Sequence, residues 1–503
     1  MRRFVVAALV APFLVLPVSS AASAACARVP SDFDGDGYGD LAIGAPRTYQ
    51  PVGDINWQGV VDVSYGSATG LGKGRRSVGF DGRAPGIPKN RFGGSARLGE
   101  ALASGYFNGD CYADLAISAA SASDMLVLYG SASGLTTTNS AGFDRTAIQP
   151  GGAYGSGFSL DLESGDFNGD GFDDVAAGAP WTGDNHGAFG VLYGSSTGIT
   201  DAGAQWIDQD SPGVPGVAEP GDVFGWNLAA GDFNGDGRSD LAVGARGEGI
   251  GTHYDAGGVV VFSGTSAGLV TANSTWWDQD SPGVPGAVET LDSFGAALAA
   301  GDTDGDGRAE LIVGVPSESI GAKSGAGMVH VFRGTASGLA AGPAFDQDNP
   351  QIPGDAENGD YFGDALTLAD LNRDGKRDLV IGVRSETAGS ADYTGAVNVL
   401  YSTATGPSAA GAVYIDQNSP GVPGANEDGD GFGSSLSRVI NAYGGEAVVV
   451  GAPWEKVTYT DEGAVTVLPS APKGAARPAG VFISGADFPR GASTDSAFGT
   501  GLS

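Results

Sequence analysis

The sequence predicts an all-β fold: a closed ring of seven four-stranded blades, a seven-bladed β-propeller. Three observations predict it. Short strand patterns bounded by Gly/Ser/Thr turns recur along the 503 residues, in repeats of roughly 60 to 70 residues. Glycine (87 residues) and β-branched side chains dominate, and amphipathic helical runs are scarce. One repeat is split between the two ends of the chain.

The first strand of each unit reads LGEAL from Leu98, FSLDL from Phe158, FGWNL from Phe224, FGAAL from Phe294, FGDAL from Phe362 and FGSSL from Phe432. Each precedes an acidic stretch or its remnant by eight residues, as Phe224 precedes Asp232. The second strand follows that stretch as a short apolar run: LAIGAP, LAISAA, VAAGAP, LAVGAR, LIVGVP, LVIGVR and VVVGAP. The third alternates apolar residues before a turn, as in VVDVSYGSATG, MLVLYGSASG and MVHVFRGTASG, the period of two of a strand. The fourth is aromatic and runs into a turn, as in WIDQDSPGVPG from Trp206 and WWDQDSPGVPG from Trp276.

The N-terminal unit starts directly with its acidic stretch at Asp32, while the chain ends in FGTGLS, a lone first strand from Phe498. Pairing those ends completes one blade and removes exposed sheet edges, which otherwise template aggregation. An open solenoid gives no reason for the split.

The first residues, MRRFVVAALVAPFLVLPVSSAASAACA, read as a secretory signal peptide over 1–24, leaving 25–503 as the propeller. No later run of 18 apolar residues exists, so no membrane span is expected. The net charge of -33 argues against a nucleic-acid partner. An exported, soluble, monomeric chain is expected. In an oxidising compartment Cys26 and Cys111 are expected to form a disulfide, worth roughly 4 kcal/mol in the chain-entropy model. The rival reading makes Cys26 a lipid-anchored residue, with Ser23 standing where such a signal wants an apolar one.

The acidic stretches carry the chemistry. DFDGDGYGD places carboxylates at positions 1, 3, 5 and 9 of a glycine-bent loop, and the carbonyl at position 7 adds a donor. Hard oxygens in this number suit Ca2+; transition metals want His or Cys, absent here. The expected ligands in loop one are Asp32, Asp34, Asp36, the carbonyl of Tyr38, and Asp40. Loop three offers Asp166, Asn168, Asp170, Phe172 and Asp174; loop four Asp232, Asn234, Asp236, Arg238 and Asp240. Loop five offers Asp302, Asp304, Asp306, Arg308 and Glu310; loop six Asp370, Asn372, Asp374, Lys376 and Asp378. Loop two replaces its first ligand with Tyr106, keeping Asn108, Asp110 and Asp114, and is expected weak or empty. The seventh, INAYGGEA from Ile440, is expected to bind nothing. About five Ca2+ sites follow. The plainer alternative is a set of Asp/Asn/Gly turns, which leaves the crowded carboxylates to repel one another.

FGWNLAAGDFNGDGRSDLAVGA resembles the FG-GAP repeat of integrin α-subunit propellers and their bacterial secreted relatives. The resemblance covers nearly all of the mature chain. It implies a seven-bladed propeller, calcium in the first hairpin of several blades, and a role in adhesion or recognition. Integrin leg domains and an inserted ligand-binding domain have no counterpart.

Long, varied loops between second and third strands leave the face opposite the acidic loops. They carry Trp57, Trp181, His186, Tyr254, Tyr393, Trp454 and Tyr459. Aromatic loops on a rigid scaffold are where binding usually resides; packing between blades is the alternative. Of the three histidines, His330 sits within a strand, while His186 and His253 lie in loops without a repeated partner. No G-x-S-x-G, HExxH or cysteine nucleophile appears. The expectation is a non-enzymatic adhesion module for an extracellular protein or glycan. The alternative is a calcium-dependent polysaccharide lyase or hydrolase.

Overall fold

The computed structural model describes residues 28–48, 59–72, 74–87, 97–119, 124–149, 157–440, 445–457, 462–473, 478–489 and 496–503. The signal segment, Cys26, Trp57 and Tyr459 lie outside these residues.

Blade one holds β1 (Leu41–Ala45), β2 (Val60–Ser64) and β3 (Ser77–Asp81). Blade two holds β4 (Leu98–Gly105), β5 (Asp114–Ala119), β6 (Asp124–Tyr129) and β7 (Thr136–Asp144). One helical turn, α1 (Arg145–Ile148), follows β7, capped by the Asp144 carboxylate. Blade three holds β8 (Leu162–Gly165), β9 (Asp174–Gly178), β10 (Phe189–Tyr193) and β11 (Thr200–Ile207). Blade four holds β12 (Leu228–Gly231), β13 (Asp240–Ala245), β14 (Gly258–Thr265) and β15 (Gly268–Trp277). Blade five holds β16 (Ala297–Gly301), β17 (Glu310–Val315), β18 (Met328–Thr335) and β19 (Gly338–Phe345). Blade six holds β20 (Phe362–Ala369), β21 (Asp378–Val383) and β22 (Ala396–Leu400). A small hairpin, β23 (Ser402–Thr403) with β24 (Gly406–Pro407), precedes its outer strand β25 (Val413–Ile415). Blade seven holds β26 (Ser435–Val439), β27 (Ala447–Ala452), β28 (Ala464–Pro469) and β29 (Val481–Ser484). Within each blade neighbours pair antiparallel in chain order. The result is the expected seven-bladed ring.

The split repeat closes as expected. Ile43 of β1 pairs antiparallel with Leu502. The N–H of Ala42 donates to the Ser503 carbonyl at 2.9 Å, and that of Gly44 to the Gly501 carbonyl at 2.7 Å. The C-terminal segment thus supplies the first strand of blade one.

Second strands are apolar along most of their length rather than alternating because both their faces are covered. β1, β13, β17 and β21 are buried at every position. The core is a set of inter-blade clusters: Phe233, Val259 and Val261 of blade four pack with Phe294, Leu311 and Val313 of blade five. Burying one such side chain stabilises by roughly 1.5–3 kcal/mol. His330 belongs to this interior: it is 1% exposed and stacks against Phe294. Burial pushes it down to about 4.

The glycines of the first and second strands form one contact. A Cβ on Gly244 of β13 would meet the carbonyl oxygen of Gly295, in the next blade, at 2.4 Å. The same pairing joins Gly44 to Gly99, Gly178 to Gly225, Gly314 to Gly363, Gly382 to Gly433 and Gly451 to Gly499. Adjacent blades therefore touch backbone to backbone. At the remaining junction serines replace both: Ser118 accepts the N–H of Ala101, and Ser159 (φ 64°) donates to the Asp124 carbonyl.

First strands line a central channel. Leu102, Leu298, Leu366, Leu436 and Leu502 line both of its chambers. Asp161 and Glu163 stand on its wall; burial pushes them up to about 7 and about 8, the neighbouring Asp161 charge adding to the shift of Glu163.

Candidate metal centres and the opposite loop face

Each acidic loop leads into a second strand, and its side chains hold it shut. Asp32 at position 1 accepts the N–H groups of Gly35 (2.7 Å), Asp36 (3.1 Å) and Gly37 (2.8 Å). Asp34 accepts from Asp36, and Asp36 from Tyr38. The pattern repeats at Asp166, Asn168 and Asp170, and at Asp232, Asn234 and Asp236. Asp302, Asp304 and Asp306 repeat it, and so do Asp370 and Asp374. Glycine at position 4 supplies a left-handed turn, as at Gly35 (φ 71°).

Position 9 does something the sequence did not reveal. Oδ2 of Asp40 accepts the N–H of Phe33 and Oδ1 that of Gly66, at the exit of β2. Asp114, Asp174 and Asp240 grip Phe107 and Gly130, Phe167 and Gly194, and Phe233 and Gly264. Asp378 grips Leu371 and Ser402; Glu310 grips Thr303. This carboxylate pins the loop to the end of the blade's third strand. A glycine at the end of the third strand lets it approach: a Cβ on Gly264 would meet the Ser239 carbonyl at 2.3 Å. The period-two strand pattern ending in YGS or FSG was the available signal.

The structure brings Asp32, Asp34 and Asp40 together, their carboxylate oxygens within 4.8 Å of one another, and likewise Asp302, Asp304 and Asp306. Loops three, four and six carry asparagine at position 3 and so fewer carboxylates. Burial, then the charges of Asp34 and Asp32, pushes Asp40 up to about 8. Burial likewise raises Asp174 to about 8, and Asp240 and Asp378 to about 6. Asp34 is raised although Arg76 contacts it at 3.0 Å.

The donor set fits a hard divalent cation. Every loop ligand is an oxygen, and each carboxylate keeps lone pairs beyond the N–H bonds it accepts. Oδ1 of Asn372, in a side chain 6% exposed, is buried and accepts no hydrogen bond. Loop two keeps the position-9 grip but replaces the first carboxylate with Tyr106, whose hydroxyl donates to the Val29 carbonyl at 2.8 Å. Residues 441–444 of the seventh stretch fall outside the described residues. So does Cys26; no cysteine is free among the described residues, and the Cys26–Cys111 pairing is a proposal.

The opposite face collects the exposed apolar side chains. Val217, Tyr254, Leu291, Tyr393, Trp454 and Val457 are the exposed large hydrophobics among the described residues. All lie in loops between second and third strands or between blades. Trp181 instead packs edge-on against Trp226, centroids 6.2 Å apart. His186 and His253 lie beside the buried carboxylates Asp222 and Asp292.

Acidic first hairpins on a closed ring of seven blades define a repeat β-propeller. Its particular kind is given by comparison. The chain carries FG-GAP repeats, matched at residues 29–64, 161–204, 224–262, 294–332 and 362–400, and is homologous to integrin α subunits and phosphatidylinositol-glycan-specific phospholipase D. The matched spans contain the five full acidic loops. Among its relatives, phosphatidylinositol-glycan-specific phospholipase D of Rattus norvegicus is 34% identical over 34% of this chain and 20% of its own length. Integrin alpha-PS2 of Drosophila melanogaster is 30% identical over 44% of this chain and 15% of its own. The phospholipase of Bos taurus is 27% identical over 59% of this chain and 35% of its own. The chain thus covers well under half the length of these relatives. No helix among the described residues is long and apolar enough to cross a membrane.

Proposed function

We propose that the chain is a secreted adhesion or recognition module, with 1–24 as its signal peptide and 25–503 as a monomeric propeller. Five loops bind Ca2+ through the residues named above, and a Cys26–Cys111 disulfide ties the N-terminus to the second acidic loop. The opposite face meets an extracellular protein or glycan. The observation that carries this reading is the segregation of exposed aromatic and aliphatic side chains, Tyr254 and Tyr393 at 62% and 61% exposure among them, to the face away from the acidic loops. Integrin relatives support adhesion; relatives named as a phospholipase supply the second reading, a hydrolase.

The test is a screen of the purified chain against matrix proteins and polysaccharides. Saturable binding without turnover, weakened about tenfold or more by Tyr254→Ala with Tyr393→Ala, is expected, since interface aromatics carry much of the binding energy. Release of a reaction product overturns the module.

A further inference from the structure

On the face away from the acidic loops, four consecutive blade junctions repeat one polar arrangement. Gln209, just past β11, donates from Nε2 to Oε2 of Glu248 in the next blade, at 2.6 Å. Gln279 does the same to Glu318 at 2.7 Å and Gln347 to Glu386 at 2.9 Å; Gln417 pairs likewise with Glu455. The glutamines are 1–4% exposed and the glutamates 6–8%.

A second buried acid completes each copy. Asp222, Asp292, Asp360 and Asp430 are at most 2% exposed. The Asp222 carbonyl accepts the N–H of Gly247, the neighbour of Glu248, at 3.1 Å. The Asp360 carbonyl accepts that of Ser385, the neighbour of Glu386, at 3.3 Å. Burial and the nearby Asp292 and Glu289 charges push Glu318 up to about 7. No salt bridge of the described residues reaches any of these eight carboxylates.

The independent observation is the glutamine oxygen. Oε1 of all four glutamines is buried and accepts no hydrogen bond. Oε1 and Nε2 branch from one carbon, so the vacant oxygen is held at the glutamate end of each pair. Nearly all buried polar atoms in folded proteins find a partner. Four orphaned carbonyl oxygens, each beside a buried glutamate with a buried aspartate at the same junction, form an all-oxygen donor set; the basic groups acting on the aspartates, His186, His253, Lys323 and Lys456, make no salt bridge with them.

We propose that each of these junctions is a second class of divalent-cation site, taking Ca2+ through the glutamine Oε1, the glutamate and the aspartate of adjoining blades. These ions clamp blades three to seven to one another, whereas the acidic-loop ions act within single blades.

The test counts ions on the full chain. Chelator-stripped protein is dialysed against Ca2+ alone, and bound calcium is measured by elemental analysis for the wild type and for Asp292→Asn with Glu318→Gln, shapes that keep the hydrogen-bonding outline. A loss of one ion per chain is expected; unchanged stoichiometry overturns the proposal. Wild-type crystals soaked in Tb3+ give a second readout that needs no variant. Anomalous peaks at the Gln279, Glu318 and Asp292 oxygens support the site, and their absence overturns it.

Discussion

At the residue scale, two contacts explain motifs that look like composition. Gly244 and Gly295 are far apart in sequence, yet one contact demands both. Gly244→Ala places a Cβ 2.4 Å from the Gly295 carbonyl, so blades four and five must separate. We expect a loss of about 1–3 kcal/mol in denaturant melts, the usual cost of overpacking. Asp240 is the second case. Its two oxygens accept the N–H groups of Phe233 and Gly264. Asp240→Asn turns one acceptor into a donor facing a donor. A cost of about 1–3 kcal/mol is expected even in chelator, where no ion contributes; no loss in chelator would show that position 9 serves as a metal ligand alone. The spacing made Asp240 legible as a candidate ligand, because carboxylates at alternate loop positions are a local pattern. Its grip on Gly264 was not legible, because that partner lies across the blade. The Gln279–Glu318 pair was hidden for the same reason: WDQD reads as a turn until the next blade is set beside it.

At the scale of elements, strand order followed from the repeated patterns, since each strand carries its own signature and each turn its own glycine. The loops were less legible. Tyr254 and Tyr393 stand exposed while Trp181 packs on Trp226, and aromatic content alone does not separate the two outcomes. The inner strand β8, whose Leu162 starts within FSLDL, also brings Glu163 to the channel wall beside Asp161. Their folded-state values, about 8 and about 7, lie above those of the unfolded chain. The folded chain therefore holds more protons between about pH 4 and pH 8, and stability contributed by these groups falls as pH rises through that window. Glu163→Gln removes its share. Melts in chelator should show the variant more stable than wild type at pH 8 and level with it at pH 4. A variant less stable at pH 8 would contradict this.

At the scale of the whole molecule, closure is what the orphan strands at the chain ends implied, and Ile43 with Leu502 shows it. Removing residues 499–503 leaves β1 with an open edge and breaks the Gly451–Gly499 contact. Calorimetry should find a lower Tm and a broader transition, and light scattering should find association through the freed edge. A truncated chain that melts like the full one would show that closure adds nothing. Charge acts at this scale as well: the chain carries a net charge of -33, and its acidic loops crowd carboxylates together, so stability depends on what neutralises them. The most direct test is calorimetric melting of the full chain in chelator and in millimolar Ca2+, beside a variant carrying Asp32→Asn and Asp302→Asn in the two loops with the tightest carboxylate clusters. An ion that binds only the folded state must raise Tm. The wild-type Tm should climb with Ca2+ and the variant should gain less; a wild type that melts at one temperature in both solutions, or a variant with the full gain, would contradict cation binding by the acidic loops.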